Sequence, residues 1–588
     1  MFGMLWEEFA ETGALDLKRF FLRRFLRLAP ALGVVVSMTV LALLLLSMPG
    51  LPLFGQAAQT GLGALTVSAN FVISQISGGY FGEAPENNPL LHTWSLSVEE
   101  QFYLGGALAL FLFLRLTGTT SSQKQKGLLI GAVGLATMVS FFSQFVASWF
   151  DFSVGLGFYS PATRAWEFLA GAGAYLISRN WNRGTTRWIP VVGLLGISAA
   201  LFGAVEDPYL ERLLVIIGTV AVLIPTHHPS IFKSLLEGKI AVAIGNISYS
   251  LYLWHWPVLF LANLLFPGSA AFVGLGVVIS LALAYLSYRY LEIPLKRPVS
   301  NSRTMVIRFM GFGLTPLLIV GLLSALSPLQ ESIGQKMGVW EVAHPGATGH
   351  EDFHLAYEET FSPCEPDEIL QQAPIWRTRI RCYQSSLSTP PTVALIGDSH
   401  AETLFYGLAS VSPDNFVYFI QNALPVPSSG PQFSKILQYV ENSEEIETVI
   451  ISAWWAGRGI PGDELVAELS RLVEGGKRVF ITDDNPSFST RAEVCKFEFV
   501  LSSRDSENDC VSLRSAAEGV SETRAIQALA DSIPGVVLIQ TYEEFCDQDV
   551  CSMLSDSGDL LYRDKNHLNL EGSLLISRVI FESIGRHN

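Results

Sequence analysis

Charged residues are scarce in this chain of 588 residues, since Asp, Glu, Lys and Arg make up only 16% of it. Ordinary soluble domains carry about 25%, so the composition excludes a simple water-soluble enzyme, a disordered tail and a nucleic-acid-binding protein. Residues 1–326 contain 20 basic and 15 acidic residues, whereas residues 327–588 contain 18 and 39. A basic region and an acidic region are therefore joined near residue 326.

The first region contains long stretches with few charges. A helix needs about 20 mostly apolar residues to cross the hydrocarbon of a bilayer. One stretch, 58–76, contains Asn70, Gln75 and many small residues, and we interpret it as re-entrant or partly inserted. Nine others predict a multi-pass helical membrane domain with spans near 29–49, 97–115, 127–148, 166–178, 189–204, 211–226, 240–265, 270–288 and 304–326.

Lys and Arg are missing from residues 50–96, directly after the first span, and they return mainly in alternate loops. Because Lys and Arg are retained on the cytoplasmic side, nine spans that begin inside end outside. We therefore expect residues 327–588 to lie on the non-cytoplasmic face. No apolar stretch followed by a small-residue cleavage site precedes the first span, so no cleavable signal peptide is predicted.

Cysteine is also missing from residues 1–326, and all six cysteines lie in the acidic region. This distribution is typical of a domain exported to an oxidising compartment. A metal site is the weaker alternative because the chain has no CxxC pair, so no metal is predicted. Six cysteines allow 15 connectivities. Sequential pairing needs the least loop closure and predicts the disulfides Cys364–Cys382, Cys495–Cys510 and Cys546–Cys551.

Polar residues interrupt the first region at residues 92–103, which lead directly into an apolar segment. Helical spacing places Glu99 and Tyr103 on one face and Glu100 on the adjoining one. Carboxylates at membrane depth usually face a cavity or a partner. The alternative is a helix start at the interface, where acidic residues favour the positive end of the helix dipole.

Two further groups of polar residues also allow both a functional and a purely structural interpretation. Arg24 and Arg27 share one helix face before the first span, where they either clamp the phosphates of coenzyme A or anchor the chain to lipid headgroups. His255 lies well inside the aromatic helix of residues 247–258. The Tyr and Trp residues around His255 are explained by an aromatic belt at the membrane interface. A histidine at membrane depth, however, requires a polar partner for its ring.

Four segments, FFLRRFLRLAPAL (20–32), LLHTWSLSVEEQFYL (90–104), ISYSLYLWHWPV (247–258) and YRYLEIPLKRP (288–298), resemble the acyltransferase-3 superfamily. These membrane proteins acylate bacterial envelope polysaccharides. The resemblance implies that Arg24 and Arg27 form an RxxR motif that handles the acyl donor, acetyl-CoA. It also places around a transmembrane acyl-transfer cavity the residues His92, Trp94, Ser95, Glu99, Glu100, Tyr103 and His255.

The chain departs from this family at its start. Such proteins usually begin with two more membrane helices, the first carrying a histidine, whereas MFGMLWEEFAETG matches only the end of the second. The sequence therefore predicts either a start codon assigned too late or a truncated membrane half.

From residue 392 onwards, short apolar runs alternate with helical stretches. Runs at 392–396, 448–453, 478–482 and 535–540 predict a largely parallel sheet covered on both faces. The first run ends in Gly397-Asp398-Ser399-His400, and catalytic groups of such sheets gather at the carboxyl ends of strands. A loop near the C-terminus brings Asp564 and His567 together. We predict Ser399 as nucleophile, His567 as its base and Asp564 as the partner of His567.

VALIGDSH and DKNHLNLEG resemble the SGNH hydrolase family, in the form fused to acyltransferase-3 proteins. The resemblance implies a three-layer, flavodoxin-like α/β domain and the same three catalytic residues. The oxyanion Asn expected after the third strand is replaced by Ala453-Trp454-Trp455, so backbone N–H groups, including that of Ser399, are expected to stabilise the oxyanion. The predicted domains are 1–326 (membrane), 327–391 (linker) and 392–588 (SGNH-like).

Together these features predict an O-acetyltransferase of the bacterial inner membrane with an extracytoplasmic or periplasmic C-terminal domain. It would move acetyl from cytoplasmic acetyl-CoA to a hydroxyl of a polysaccharide, either lipopolysaccharide O-antigen, exopolysaccharide or peptidoglycan. The alternative is a membrane-anchored carbohydrate esterase with an inactive membrane half. Trp454 and Trp455 are either glycan-stacking residues or parts of the core. The predicted partners are the bilayer and the envelope glycan, without nucleic acid.

Overall fold

The computed structural model divides the chain into two compact units, Met1–Leu44 with Leu53–Pro328, and Leu329–Asn588 with Leu45–Pro52. Each unit is considered by itself. The residues that the structure describes are 2–46, 53–76, 88–118, 122–149, 157–178, 189–203, 208–223, 237–266, 269–295, 304, 307–308, 310–325, 340–342, 350–376, 379–488, 492, 495, 497–499, 510–515 and 519–586.

The first unit is entirely helical where it is described. Its helices are α1 (Phe2–Thr12), α2 (Leu17–Leu46), α3 (Leu53–Leu65), α4 (Ala69–Ile76), α5 (Thr93–Leu116), α6 (Ser122–Trp149), α7 (Pro161–Ser178), α8 (Ile189–Leu201), α9 (Pro208–Leu223), α10 (Lys239–Leu265), α11 (Ala270–Ser287) and α12 (Thr315–Ala325). A π-helical turn, Tyr288–Glu292, continues α11.

Four helices in the described part of this unit are long and apolar enough to cross a membrane: Leu17–Leu45, Thr93–Leu116, Gln123–Val146 and Ala270–Leu295. Ile189–Leu201 and Met310–Ala325 are apolar but shorter. The predicted helical region with several apolar segments is therefore confirmed, whereas the count of nine spans is not.

The stretch 58–76 forms parts of two helices, α3 and α4, which are separated by a sharp turn. Val67 in this turn has a φ of 61°, and the N–H of Ala69 is held by the Ser97 hydroxyl at 3.2 Å. The Asn70 amide donates to the Tyr159 carbonyl oxygen at 3.1 Å and accepts from Gln101 at 2.9 Å. Packing inside the unit thus pairs polar groups that would be costly to place against lipid.

The second unit is built on a seven-stranded sheet in the order β7-β6-β5-β3-β4-β2-β1. Neighbouring strands from β7 to β4 are parallel, and β4, β2 and β1 pair antiparallel. The strands are β1 (Ser362–Pro363), β2 (Tyr383–Gln384), β3 (Val393–Gly397), β4 (Phe416–Ile420), β5 (Thr448–Ser452), β6 (Arg478–Thr482) and β7 (Val536–Ile539). Three two-stranded pairings flank it, Trp340–Val342 with Phe497–Phe499, Ile375–Trp376 with Arg379–Ile380, and Val511–Leu513 with Val550–Ser552.

Helices cover both faces of this sheet, as its fully buried apolar strands require. They are α13 (His350–Thr360), α14 (Asp367–Leu370), α15 (Ser399–Val411), α16 (Pro431–Asn442), α17 (Trp455–Arg458), α18 (Gly462–Glu474), α19 (Val520–Asp531) and α20 (Leu570–Arg586). Helices α16, α18 and α19 enclose one hydrophobic core. Helix α15 packs against α20, and a Cβ at Gly407 would lie only 2.2 Å from the Ser573 carbonyl oxygen. The predicted α/β architecture is confirmed.

Part of the segment predicted as a linker, 327–391, packs within the second unit. It supplies β1 and β2 to the sheet, and helix α13 lies against α15. The Tyr357 hydroxyl of α13 donates to the Glu402 carbonyl oxygen at 2.5 Å and accepts from the N–H of Tyr406 at 3.2 Å. Helix α13 thus packs against α15, the helix that begins at Ser399, and stabilises its position through these two hydrogen bonds.

Two of the three predicted disulfides are present, Cys364–Cys382 and Cys546–Cys551. The third, Cys495–Cys510, requires correction, because both residues are buried thiols in the structure. Met553 contacts each of them: its Sδ lies 3.8 Å from Cys495 Sγ, and its N–H donates to the Cys510 carbonyl oxygen at 2.9 Å. Sequence spacing shows which loop is short but not which side chain packs inside it.

Removing the two disulfides is expected to have unequal effects on thermal stability. The Cys364–Cys382 loop spans 18 residues and the Cys546–Cys551 loop 5. Chain entropy predicts losses of about 3 and about 2 kcal/mol respectively. Thermal unfolding of the full chain with paired Cys→Ser replacements should therefore show the larger drop in Tm for the first pair. Equal drops in Tm, or a larger drop for the second pair, would contradict the explanation from loop entropy.

Candidate active site

Strand β3 and helix α15 meet in a tight turn at the carboxyl edge of the sheet. A Cβ at Gly397 would lie 1.6 Å from the Ser452 carbonyl oxygen of the neighbouring strand, so only glycine fits. Asp398 caps α15, and its Oδ1 accepts the N–H of His400 at 2.9 Å. Ser399 is thereby placed at the first position of the helix, next to its positive dipole end.

The three residues predicted as a catalytic triad are brought together from opposite ends of the domain. The Ser399 Oγ lies 2.7 Å from His567 Nε2, and His567 Nδ1 lies 2.8 Å from Asp564 Oδ2. The other carboxylate oxygen of Asp564 accepts the N–H groups of Asn566 and His567 at 2.9 and 2.8 Å. This geometry allows a serine to be deprotonated by a histidine that a carboxylate orients.

Burial tunes the proton affinity of His567. Removal of water from around the ring lowers the pKa of His567 to about 4, although the charge of Asp564 and its hydrogen bond oppose this. The nearby Arg563 and His400 lower the pKa further. His567 is therefore a free base at neutral pH, as the removal of a proton from Ser399 requires.

In the segment after β5, where the oxyanion Asn of the family was expected, the backbone N–H of Trp454 is already hydrogen-bonded to Asp398. Both oxygens of Asp398 accept the N–H of Trp454, at 3.2 and 3.1 Å, and Oδ2 also accepts Arg458 Nε at 3.0 Å. Arg458 in turn donates to the Asn422 side chain at 3.0 Å. Trp455 is fully buried and donates to the Thr482 carbonyl oxygen, so it belongs to the core. The carboxyl edge therefore carries a buried carboxylate that orders the segment after β5.

A second histidine–carboxylate pair, which the sequence did not reveal, adjoins the triad. His400 Nδ1 lies 2.9 Å from Asp484 Oδ1, and the other oxygen of Asp484 accepts the N–H of Ala456 at 2.9 Å. The ring centroids of His400 and His567 are 5.0 Å apart. Asp484 follows β6, far along the chain from His400, so only the parallel order of β3, β5 and β6 brings the two together.

Buried charges also lie behind the triad. Arg381 Nε donates to Glu402 Oε1 at 2.5 Å, and Tyr418 donates to the same oxygen at 3.3 Å. Burial lowers the pKa of Arg381 to about 9. The N–H of Arg563 donates to the His567 carbonyl oxygen at 2.9 Å, and its guanidinium lies 3.8 Å from the centre of the Phe353 ring. These charges fix the two loops that carry the triad.

In the first unit, the structure brings Arg24 to the predicted motif of α5. Arg24 Nε lies 2.9 Å from both oxygens of Glu100, Nη2 lies 3.3 Å from Glu99, and the guanidinium carbon lies 3.3 Å from the centre of the Tyr103 ring. Arg24 thus pairs with the acidic motif. Whether Arg24 and Arg27 also bind the acyl donor stays a prediction.

A second polar cluster joins α5 to α10. The Ser95 and Tyr252 hydroxyls are 2.6 Å apart, and Tyr252 also donates to the His92 carbonyl oxygen. The ring centroids of His92 and His255 are 5.5 Å apart, and Trp94 packs edge-on against Tyr159. The residues that sequence reasoning grouped as an acyl-transfer motif therefore form two clusters, one around Arg24 and one around Tyr252.

A cavity of about 520 Å³ lies between α1 and α2. It is lined by both basic and acidic side chains, which include Glu7, Glu8, Glu11, Arg19, Arg23, Arg24 and Arg27. Four guanidiniums around one cavity suit a phosphate-bearing donor, while the carboxylates oppose it. Among the described residues, no group of three His, Cys, Asp or Glu side chains could hold a metal ion.

Comparison with known proteins agrees with this two-part architecture. The family profile of the acyltransferase domain matches residues 6–289, and that of the SGNH domain fused to acyltransferase-3 domains matches residues 364–582. The chain belongs to this fused family. Its acyltransferase domain contains the Arg24 and Tyr252 clusters, and its SGNH domain contains the Ser399 site.

Several curated relatives are O-acetyltransferases. The chain is 25% identical to the O-acetyltransferase OatA of Staphylococcus aureus over 313 residues, which cover 50% of each chain. It is 26% identical to the peptidoglycan O-acetyltransferase OatA of Listeria monocytogenes over 317 residues, 50% of this chain and 49% of the relative. The chain thus spans about half the length of the curated relatives that it matches.

One solved structure is also similar, the periplasmic domain of a lipopolysaccharide acetyltransferase from Salmonella ser. Paratyphi A. It shares 16% identity and covers 34% of this chain and 85% of its own, with a TM-score of 0.26.

Proposed function

We propose that this protein is a bacterial cell-envelope O-acetyltransferase. It takes acetyl from cytoplasmic acetyl-CoA, passes it through the membrane domain and places it on a polysaccharide hydroxyl on the other side. The observation that carries this proposal is the contact of 2.7 Å between Ser399 Oγ and His567 Nε2, in a chain that joins this site to an acyltransferase domain. The relatives named as O-acetyltransferases support it.

The chemistry at Ser399 proceeds in two steps. Ser399 Oγ attacks the acetyl carbonyl and its proton moves to His567 Nε2. The bond from the acetyl carbon to its carrier then breaks, and His567 gives this proton to the leaving atom of the carrier, so that it is a free base again. A sugar hydroxyl then attacks acetyl-Ser399, gives its proton to His567, and releases Ser399, which regains a proton. Asp564 holds His567 in the tautomer with its proton on Nδ1 and stabilises the imidazolium that forms in each step.

The membrane domain would supply the acetyl group. The guanidiniums of α2 line the cavity of about 520 Å³ and are suited to the phosphates of acetyl-CoA. The Tyr252 cluster, with His92 and His255, provides hydroxyl and imidazole groups for handling the acetyl group within the membrane domain. We place the donor side in the cytoplasm and the Ser399 side outside, in accordance with the distribution of Lys and Arg.

Sealed liposomes test the transfer directly. The full chain is reconstituted in vesicles that enclose a chito-oligosaccharide, and acetyl-CoA with a radiolabelled acetyl group is added outside. We expect labelled O-acetyl ester on the enclosed sugar, removable by mild base. Protein-free vesicles with the same contents serve as the control for leakage.

Two outcomes would contradict the transfer. Label recovered only as free acetate would show that water, rather than the sugar hydroxyl, accepts the acetyl group, as it does in the alternative activity, that of a membrane-anchored carbohydrate esterase. Label that stays on coenzyme A would show that the chain does not use this donor. To test the acceptor class, the same assay is repeated with enclosed dextran oligomers in place of the chito-oligosaccharide.

A further inference from the structure

The pair formed by His400 and Asp484 is not used by the triad mechanism, yet it adjoins the catalytic base. Both side chains are almost completely buried, with exposed fractions of 2% and 0%. His400 Nδ1 is 2.9 Å from Asp484 Oδ1, and the indole of Trp454 stacks on the imidazole with the ring centroids 6.0 Å apart. The pair is therefore held in one arrangement, shielded from water.

Its position relative to His567 is close enough for a strong electrostatic effect. The two imidazole centroids are 5.0 Å apart, with His400 buried and the side chain of His567 19% exposed. His400 directly follows the nucleophile at the start of α15, while Asp484 follows β6. Any charge on His400 therefore acts on His567 at short range and through little screening.

The charged groups around His400 come from three loops and are mostly acidic. Burial lowers the pKa of His400, but the charge of Asp484 and its hydrogen bond raise it, with Asp398 and Asp564 adding to this, so that the net direction is upward. The loop before α20 also contributes Arg563 and His567 itself, and Arg458 neutralises part of the charge of Asp398. The surroundings thus favour an imidazolium at His400.

We propose that His400 and Asp484 are a positioning pair which holds a positive charge beside His567, keeps His567 in its free-base form, and so sets the lower pH limit of the reaction at Ser399. The inference rests on the proposed role of Ser399 as nucleophile. His400 acts through His567 and need not touch the substrate. The pair thus acts on the charge of the base, in addition to Asp564, which orients it.

The size of the effect follows from Coulomb's law. At the separation of 5.0 Å, with an effective dielectric constant of about 20, one unit charge changes the pKa of its neighbour by about two units. Asp484 offsets part of this because it carries the opposite charge. The sign is clear: a cation beside His567 lowers its pKa, and the loss of that cation raises it, so that His567 becomes protonated and inactive at a higher pH.

The rate at which a fluorophosphonate labels Ser399 measures the base directly and needs neither acetyl donor nor glycan. In this reaction the Ser399 Oγ–P bond forms, the P–F bond breaks, fluoride leaves and the serine proton moves to His567. The full-length chain in detergent is labelled across about pH 4–8, a range that brackets the ordinary histidine pKa. In the wild type, the rate should fall only at the acidic end of this range.

The decisive variants are His400→Asn, Asp484→Asn and the double replacement. The amide of His400→Asn keeps a donor for Asp484 but removes the cation, so the acidic midpoint should rise by about one to two pH units. The double replacement removes both charges and should reverse the part of this shift that the uncompensated charge of Asp484 contributes, which brings the midpoint back toward the wild-type value. His354→Asn, at a buried histidine on α13, is the control and should leave the midpoint unchanged.

Each contrary result identifies which idea fails. If the wild type is not labelled at Ser399, the nucleophile itself is refuted, and both the proposed function and this inference fall. If the wild type is labelled but His400→Asn has the same midpoint, only the inference is overturned. A shift that the double replacement fails to reverse would show that His400 acts by packing rather than by charge, which also overturns the inference.

Discussion

Replacement of Ser399 by alanine is expected to lower the rate of acetyl transfer to the glycan at least about a thousandfold. The reason is that the replacement removes the nucleophilic oxygen, Ser399 Oγ, which lies 2.7 Å from His567 Nε2. Without it, the proposed acetyl-Ser399 intermediate cannot form, and His567 has no serine proton to remove. The liposome assay with labelled acetyl-CoA measures the loss.

A matched replacement shows whether this loss is specific. Ser412, at the C-terminal end of the same helix, bonds only to groups of its own turn in the described structure, and Ser412→Ala should transfer acetyl at the wild-type rate. If Ser399→Ala retained most of the transfer, acetyl would be passing directly from the membrane domain to the glycan. The covalent intermediate at Ser399 would then be refuted.

The second large effect concerns stability. Glu402→Gln should destabilise the SGNH domain by about 3–5 kcal/mol, since removal of one member of a buried ion pair leaves the other charge uncompensated. The side chains of Arg381 and Glu402 are 1% and 0% exposed. Thermal unfolding of the full chain, followed through the tryptophan fluorescence of this domain, should show a large drop in the Tm of the corresponding transition.

An exposed pair of the same chemistry provides the control. Arg586 and Glu582 lie one turn apart on α20, with side chains 75% and 70% exposed, and Glu582→Gln should leave the Tm nearly unchanged. A double replacement, Arg381→Met with Glu402→Leu, removes both charges and should recover much of the lost stability. Equal effects of Glu402→Gln and Glu582→Gln would contradict the importance of burial.

Much of the fold of the second unit was predictable because its parallel strands are short, buried apolar runs. The runs at 392–396, 448–453, 478–482 and 535–540 correspond to β3, β5, β6 and β7. The prediction missed strand β4, although it is equally apolar and the polar residues 412–415 separate it from α15. Strands β1 and β2 have two residues each, and a pair of residues has no periodicity to recognise.

The site was predictable only where its residues share a local motif. Ser399, Asp564 and His567 lie in two short segments with recognisable spacing, and the structure places their side chains together. The pairing of His400 with Asp484 depends on the order of strands in the sheet. Likewise, the ion pair of Arg24 with Glu100 joins two helices of the membrane domain, and no local pattern specifies which helices pack together.

The cysteines show a similar limit. Loop length correctly predicted Cys364–Cys382 and Cys546–Cys551. It failed for Cys495 and Cys510 because it takes no account of the side chains that compete for the space around each sulfur. A methionine that contacts both residues cannot be foreseen from spacing alone.

The outermost strand of the sheet, β1, affects how readily neighbouring copies of this domain aggregate by strand pairing. An exposed sheet edge with a long row of unpaired amides invites a strand from another molecule. Here the edge is two residues long, one of them is Pro363, and the next residue is tied by its disulfide to Cys382. Such an edge offers almost no template for β-pairing. Neighbouring copies of this domain are thus protected from aggregation through this edge of the sheet.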